Sequence, residues 1–125
     1  WLEPPFIGDH WVPEMIQIAG GTPALGDQEA PSMEITWGQA LASSPEIIVL
    51  MVCRFDLKRT LEEFSLLGES AFWKKYDGDI YAVDGSAYFS RPGPRTIDGI
   101  EILSEIIHPN IFQRKTEPNA WMKVN

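Results

Sequence analysis

The sequence has little of what several classes of function require. It has a single cysteine, Cys53, among 125 residues, which excludes an internal disulfide framework and a cysteine zinc site. Its two histidines, His10 and His108, have no His, Cys or carboxylate partner at ligand spacing beyond Asp9, so no metal site is read here. Cationic residues are scarce as well. Ten Lys and Arg stand against 18 Asp and Glu, a net charge of −8 with no basic run. Nucleic acid and anionic membrane surfaces both need a cationic footprint, so neither is the main partner. There is no stretch of about 20 apolar residues to cross a bilayer, no phosphate loop and no dinucleotide glycine fingerprint.

What is present is an ordinary globular composition, 44% hydrophobic and 22% charged. The length suits one domain, or one lobe of a larger protein. The chain opens at Trp1, without a methionine and inside an apolar run, so an upstream part is expected and the lack of a leader says little about compartment.

Helical and extended patterns alternate. Residues 1–8 read as a strand running out into a Pro4-Pro5 loop. Asp9 to Ala19 carries Trp11, Val12, Met15, Ile16 and Ile18 at helical spacing, with Asp9 as cap, Pro13 in the first turn and Gly20-Gly21 as the stop. Residues 22–35 have turn chemistry, with a two-residue strand near Ala24-Leu25. Thr36 and Gln39 then form a capping box for a short helix. Glu46 to Val52 is continuous and β-branched, which predicts a central strand buried on both faces.

Asp56 caps a helix over Leu57–Leu67 that turns Leu57, Leu61, Phe64 and Leu67 inward, and Gly68 closes it. A shorter helical piece covers 70–76, with Phe72-Trp73 inward, and Ile80–Val83 is a strand. The segment Asp84 to Arg95 is a loop rich in aromatics, glycine and proline. Gly93-Pro94 opens a strong amphipathic helix through Ile97, Ile100, Ile102, Leu103, Ile106 and Ile107, ended by His108-Pro109. Residues 114–125 are polar and mixed and read as a loosely packed tail, leaving 1–113 as the folded lobe. The pattern predicts an α/β fold in three layers, a mostly parallel sheet with helices on both faces.

In such sheets ligands bind outside the carboxyl ends of the strands, where loops converge. Three loops qualify: Pro4 to Trp11, Cys53-Arg54-Phe55, and Gly85 to Arg91. All three bring aromatics and two bring an arginine. The candidate binding residues are therefore Pro5, Phe6, Trp11, Arg54, Phe55, Tyr88, Phe89 and Arg91. A packed turn whose aromatics plug the core is the competing reading. Cys53 follows a strand as a nucleophile can, with Arg54 beside it to depress its pKa, so a small α/β enzyme using Cys53 is an alternative. No histidine is placed by local sequence as its base. The preferred reading is not an enzyme.

Several segments together resemble the C-terminal lobe of a class III substrate-binding protein of ABC importers, the cobalamin and ferric-siderophore type. These are Trp1–Phe6 with His10–Met15 and Ala19–Gly21, Ala42–Cys53, Gly78–Asp84, and above all Tyr88–Arg95 running into Asp98-Gly99. The resemblance implies a Rossmann-like lobe, a cleft shared with an N-terminal lobe absent from this chain, and a periplasmic or extracellular, membrane-associated protein, of lipoprotein type in some members. The implied ligand is a corrinoid such as cobalamin, with a ferric siderophore or haem as the alternative, and no resident cofactor. Tyr88 and the Phe6 loop would line the cleft, and Arg91, Arg54, Phe55 and Trp11 would border it. Aromatics with a few rim donors suit a macrocycle or metal chelate. Members dock on the permease through a glutamate that usually falls where Gly38 stands here; Glu34, four residues earlier, is the weak replacement. A half cleft exposes apolar surface, so a homodimer is also expected.

Overall fold

The computed structural model describes Leu2 and residues 12–24, 34–52, 54–67, 76–89 and 96–124. The helices are α1 (Val12–Ile18), α2 (Trp37–Ala42), α3 (Leu57–Leu67), a single turn α4 (Gly85–Tyr88) and α5 (Thr96–Ile107); the strands are β1 (Ile47–Leu50), β2 (Asp79–Val83) and β3 (Trp121–Lys123). The Asp9 cap, Leu25, the Gly68 stop, residues 70–75 and the Gly93-Pro94 helix entry lie outside the described residues.

Helix ends form as the sequence predicts. The Thr36 side chain accepts from the Gln39 N–H at 3.1 Å while Gln39 Oε1 accepts from the Thr36 N–H at 2.8 Å, a reciprocal capping box. Asp56 Oδ1 caps α3 through the Arg59 N–H at 2.8 Å. At the end of α1, Gly20 takes φ +95°, so that its N–H reaches Gln17 O and the Gly21 N–H reaches Ile16 O. That pair is a Schellman close, which favours glycine at the left-handed position.

The sheet has the order β1-β2-β3. β1 runs parallel to β2, with Ile47 opposite Asp79 and Leu50 opposite Ala82, and β3 runs antiparallel to β2, with Val83 opposite Trp121. Because strand side chains alternate, β2 feeds two cores. Tyr81 and Val83 join Met15, Ala19, Ile102, Leu103 and Ile106 beneath α1 and α5. Ile80 and Ala82 join Leu2, Leu50, Val52 and Leu57 beneath α3. Helices therefore cover both faces, and the chain is an α/β structure in three layers. Of the two strand pairings one is parallel and one antiparallel, so the described sheet is mixed.

Two expectations change. The apolar run at 46–52 is predicted to be a central strand buried on both faces; Ile47, Ile48 and Val49 are half-buried, and in the described sheet β2 takes the centre, with four of its five residues buried. The reason is β3. Residues 114–124, expected to pack loosely, instead supply the strand that covers the second edge of β2.

What fixes that segment is Glu105, a carboxylate on α5 that is only 5% exposed. It accepts from the Lys115 N–H at 2.8 Å, the Thr116 N–H at 3.3 Å, the Thr116 hydroxyl and Trp121 Nε1 at 3.0 Å. Arg114 stacks over the Trp121 ring at 4.1 Å and donates to the carbonyls of Glu117, Pro118 and Trp121. Tyr81 meets the Trp121 ring edge-on at 5.7 Å.

Burial alone would raise the Glu105 pKa, but the hydrogen bonds from Lys115, Thr116 and Trp121 outweigh it and hold the carboxyl below its ordinary value. A depressed folded pKa stabilises the fold fully above the unfolded carboxylate value, near about 4.3, and that contribution fades as pH falls through the lower folded value. Glu105→Gln turns an amide N–H₂ toward donors and is expected to lower stability by about 1–3 kcal/mol at neutral pH. The loss should shrink in acid. Urea unfolding at pH 7 and pH 3.5 checks both.

Candidate functional site at the carboxyl edge of the parallel strands

The loops that leave β1 and β2 meet at the carboxyl ends of this parallel pair, the edge where open α/β sheets bind ligands. The contact is made by backbone. The Ser86 N–H donates to Phe55 O at 2.9 Å, and the Phe55 N–H closes back on Val52 O at 3.1 Å. Gly85 makes the approach possible, because a β-carbon there would stand 2.2 Å from Val52 O and 2.9 Å from Val52 C. Only glycine fits this crossing without moving one loop. The far side of the second loop is held by the Asp84 N–H, which donates to Ala120 O at 2.9 Å, while Asp84 Oδ1 caps α4 through the Ala87 N–H.

Four of the eight candidate binding residues are described here. Arg54 is exposed, at φ +67°. Phe55 is half-buried and leans on the core beneath α3, with the Arg59 guanidinium over its ring at 4.8 Å. Tyr88, also half-buried, leans on the other core, beneath α1 and α5. The two rings therefore flank the sheet edge on opposite sides and do not build one flat platform. Phe89, only 6% exposed, is a member of that second core, so its ring serves packing. Gly99 lets it in, since a β-carbon on α5 at that position would meet Met15 Cε at 2.6 Å and Phe89 Cε1 at 3.2 Å. Pro5, Phe6, Trp11, Arg91 and Cys53 lie outside the described residues.

Arg59 is a charged group at this edge that the sequence reading passed over. Its ion pair with Glu63 at 3.0 Å follows from i, i+4 spacing along α3, and its guanidinium also reaches back over Phe55, which precedes the helix cap. Glu34 is exposed two residues before the Thr36 cap, and position 38 opens to space, a β-carbon there having Thr36 Oγ1 at 3.6 Å as its nearest neighbour.

At the opposite edge of the sheet a concavity of about 410 Å³ lies between α2, the Ser44-Pro45 turn and Tyr76-Asp77. The Tyr76 hydroxyl is committed to Pro45 O at 2.9 Å, and burial, then Asp79 and Asp77, push its pKa upward. A neutral phenol already bonded to a backbone carbonyl offers no acid–base chemistry near pH 7. This concavity sits below the amino ends of β1 and β2, away from the converging loops, and we give it less weight for that reason. Among the described residues no three His, Cys, Asp or Glu gather as a metal site, and no helix is long and apolar enough to cross a membrane.

Over 99 residues, 74% of its length, the chain is 24% identical to the vitamin B12-binding protein of Vibrio cholerae serotype O1, in three strains. This chain is similar to vitamin B12-binding proteins. The matched region is 32% of those relatives, so the chain spans about a third of their length. No protein-family profile matches it, and no solved structure matches it. The relatives are binding proteins by name.

Two glycine substitutions separate the loop crossing from ordinary surface. Gly85→Ala must push Val52 away and is expected to destabilise by about 1–3 kcal/mol. Gly38→Ala, in an exposed helical position with room for the methyl, should stabilise by about 0.5–1 kcal/mol. Chemical denaturation of the pair tests whether the contact between the two loops is as tight as described.

Proposed function

We propose that this chain is one lobe of an extracytoplasmic solute-binding protein that captures a corrinoid of the cobalamin type and delivers it to an ABC importer. The observation that carries this reading is the similarity to vitamin B12-binding proteins. The geometry supports it, since the two described loops of the expected site converge at the carboxyl edge of the sheet.

In this reading Tyr88 and Phe55 present ring surface to the apolar faces of the macrocycle from either side of the edge. Arg54 and Arg91 supply donors at its polar rim, and Pro5, Phe6 and Trp11 complete the wall. In this reading the edge is one jaw of the cleft, and the other jaw belongs to a second lobe. Glu34 takes the docking role on the permease in place of a glutamate at position 38, and a lone lobe, with its cleft face uncovered, self-associates at high concentration.

The chain has five tryptophans, which report on a coloured macrocycle nearby. Titration with cyanocobalamin, haem and a ferric siderophore in parallel, corrected for absorbance with free tryptophan, should give saturable quenching with cyanocobalamin at the lowest concentration. Saturation only by haem or by the siderophore would move the ligand to that class. A response to none of them would overturn the carrier reading.

A further inference from the structure

One residue, Asp84, joins β2 to α4, and its three polar groups are all engaged. Its N–H donates to Ala120 O at 2.9 Å, its Oδ1 accepts from the Ala87 N–H at 2.9 Å, and its carbonyl accepts from the Tyr88 N–H at 3.2 Å. The last two bonds tie α4 and Tyr88 to Asp84. Of the three, only the first reaches a distant part of the chain. Ala120 is fixed in turn: it is buried in the core that holds Phe89, and its N–H donates to Glu117 O at 2.9 Å. Beside it, Trp121 Nε1 is shared between Glu105 Oε1 at 3.0 Å and Thr116 Oγ1 at 3.2 Å. Glu105 thus grips both ends of the short stretch that carries Ala120, through Lys115 and Thr116 on one side and Trp121 on the other.

We propose that Glu105 is a positioning residue for the candidate site: through Thr116, Trp121 and Ala120 it sets where α4 and Tyr88 leave β2, so that this latch and ligand at the carboxyl edge are energetically coupled. The ligand half of the statement rests on the carrier reading above; the positioning half rests on the geometry alone. The connection is an unbroken series of hydrogen bonds and packed residues rooted in one buried carboxylate, and a network of this kind loosens as a unit when a donor is lost. A latch that served stability alone would act on the whole fold evenly and leave the corner at Asp84 no looser than the rest.

The test compares the parent with Glu105→Gln and with Thr116→Val, a milder variant that removes one donor to the carboxylate and serves if the glutamine variant does not fold. Ile48→Ala, a truncation against the other core, is the control for lost stability. Amide exchange without ligand, followed residue by residue, should quicken at Asp84 and Tyr88 by about tenfold more than at Thr60, whose N–H is held by Asp56 O, in both latch variants. In Ile48→Ala that ratio should stay within about twofold of the parent. Cyanocobalamin should bind the latch variants about fivefold or more weakly, and Ile48→Ala within about twofold of the parent. Exchange that quickens evenly across the fold, or an altered ratio with no loss of affinity, would overturn the inference. If the parent binds no corrinoid, the carrier reading fails by itself, and the exchange ratio alone decides whether Glu105 positions the loop.

Discussion

The Glu105 carboxylate, buried on α5, is the interaction on which the rest of the structure depends. Its donors all come from a segment ten or more residues downstream, and they order a stretch that has few apolar residues of its own. Once ordered, that stretch lays Trp121–Lys123 along β2 and so makes β2 the central strand. It also presents Ala120 O to the Asp84 N–H, which sets the point at which the chain leaves β2 for the candidate site. A polar contact at one end of the sheet thus positions the loop at the binding edge. A buried carboxylate with its hydrogen bonds made is tolerable; with its donors removed it would be a large penalty, which makes the latch close to all-or-none.

The candidate site shows the opposite balance. Here the contact is made by backbone: one loop is pressed against another at Gly85, Arg54 takes a positive φ, and Phe55 is half-buried with Arg59 across its face. The two cores hold this edge rigid from below, since β2 alternates between them and each takes one of the flanking aromatics.

Much of this was legible in the residues. The Thr36 capping box, the Asp56 cap, the Gly20-Gly21 stop and the end of the last long helix before His108 all follow from local chemistry, which acts over a few residues, and the meeting of the loops after β1 and β2 follows from the α/β pattern. What escaped depended on distance. Nothing near Glu105 shows that a charge beside Ile102, Leu103 and Ile106 turns inward, because its partners lie on a different stretch. The only hint is Trp121, a large indole stranded in a polar tail and in need of a partner for its N–H. The place of β2 between β1 and β3 in the described sheet is hidden for the same reason: continuous apolar sequence marks burial, but which strand is central depends on what pairs with it. Phe89 and Tyr88 adjoin in sequence, yet the single turn of α4 leaves one in the core and the other at the edge.

In the proposed function, ligand is held at the carboxyl edge of the parallel strands. Hydrogen–deuterium exchange of the backbone amides, with and without saturating cyanocobalamin, tests it most directly. The account predicts added protection at residues 54–56 and 85–89, with none at 38–45 or 76–77. Protection confined to the concavity beside α2, or no change at the two loops under saturating ligand, would contradict it.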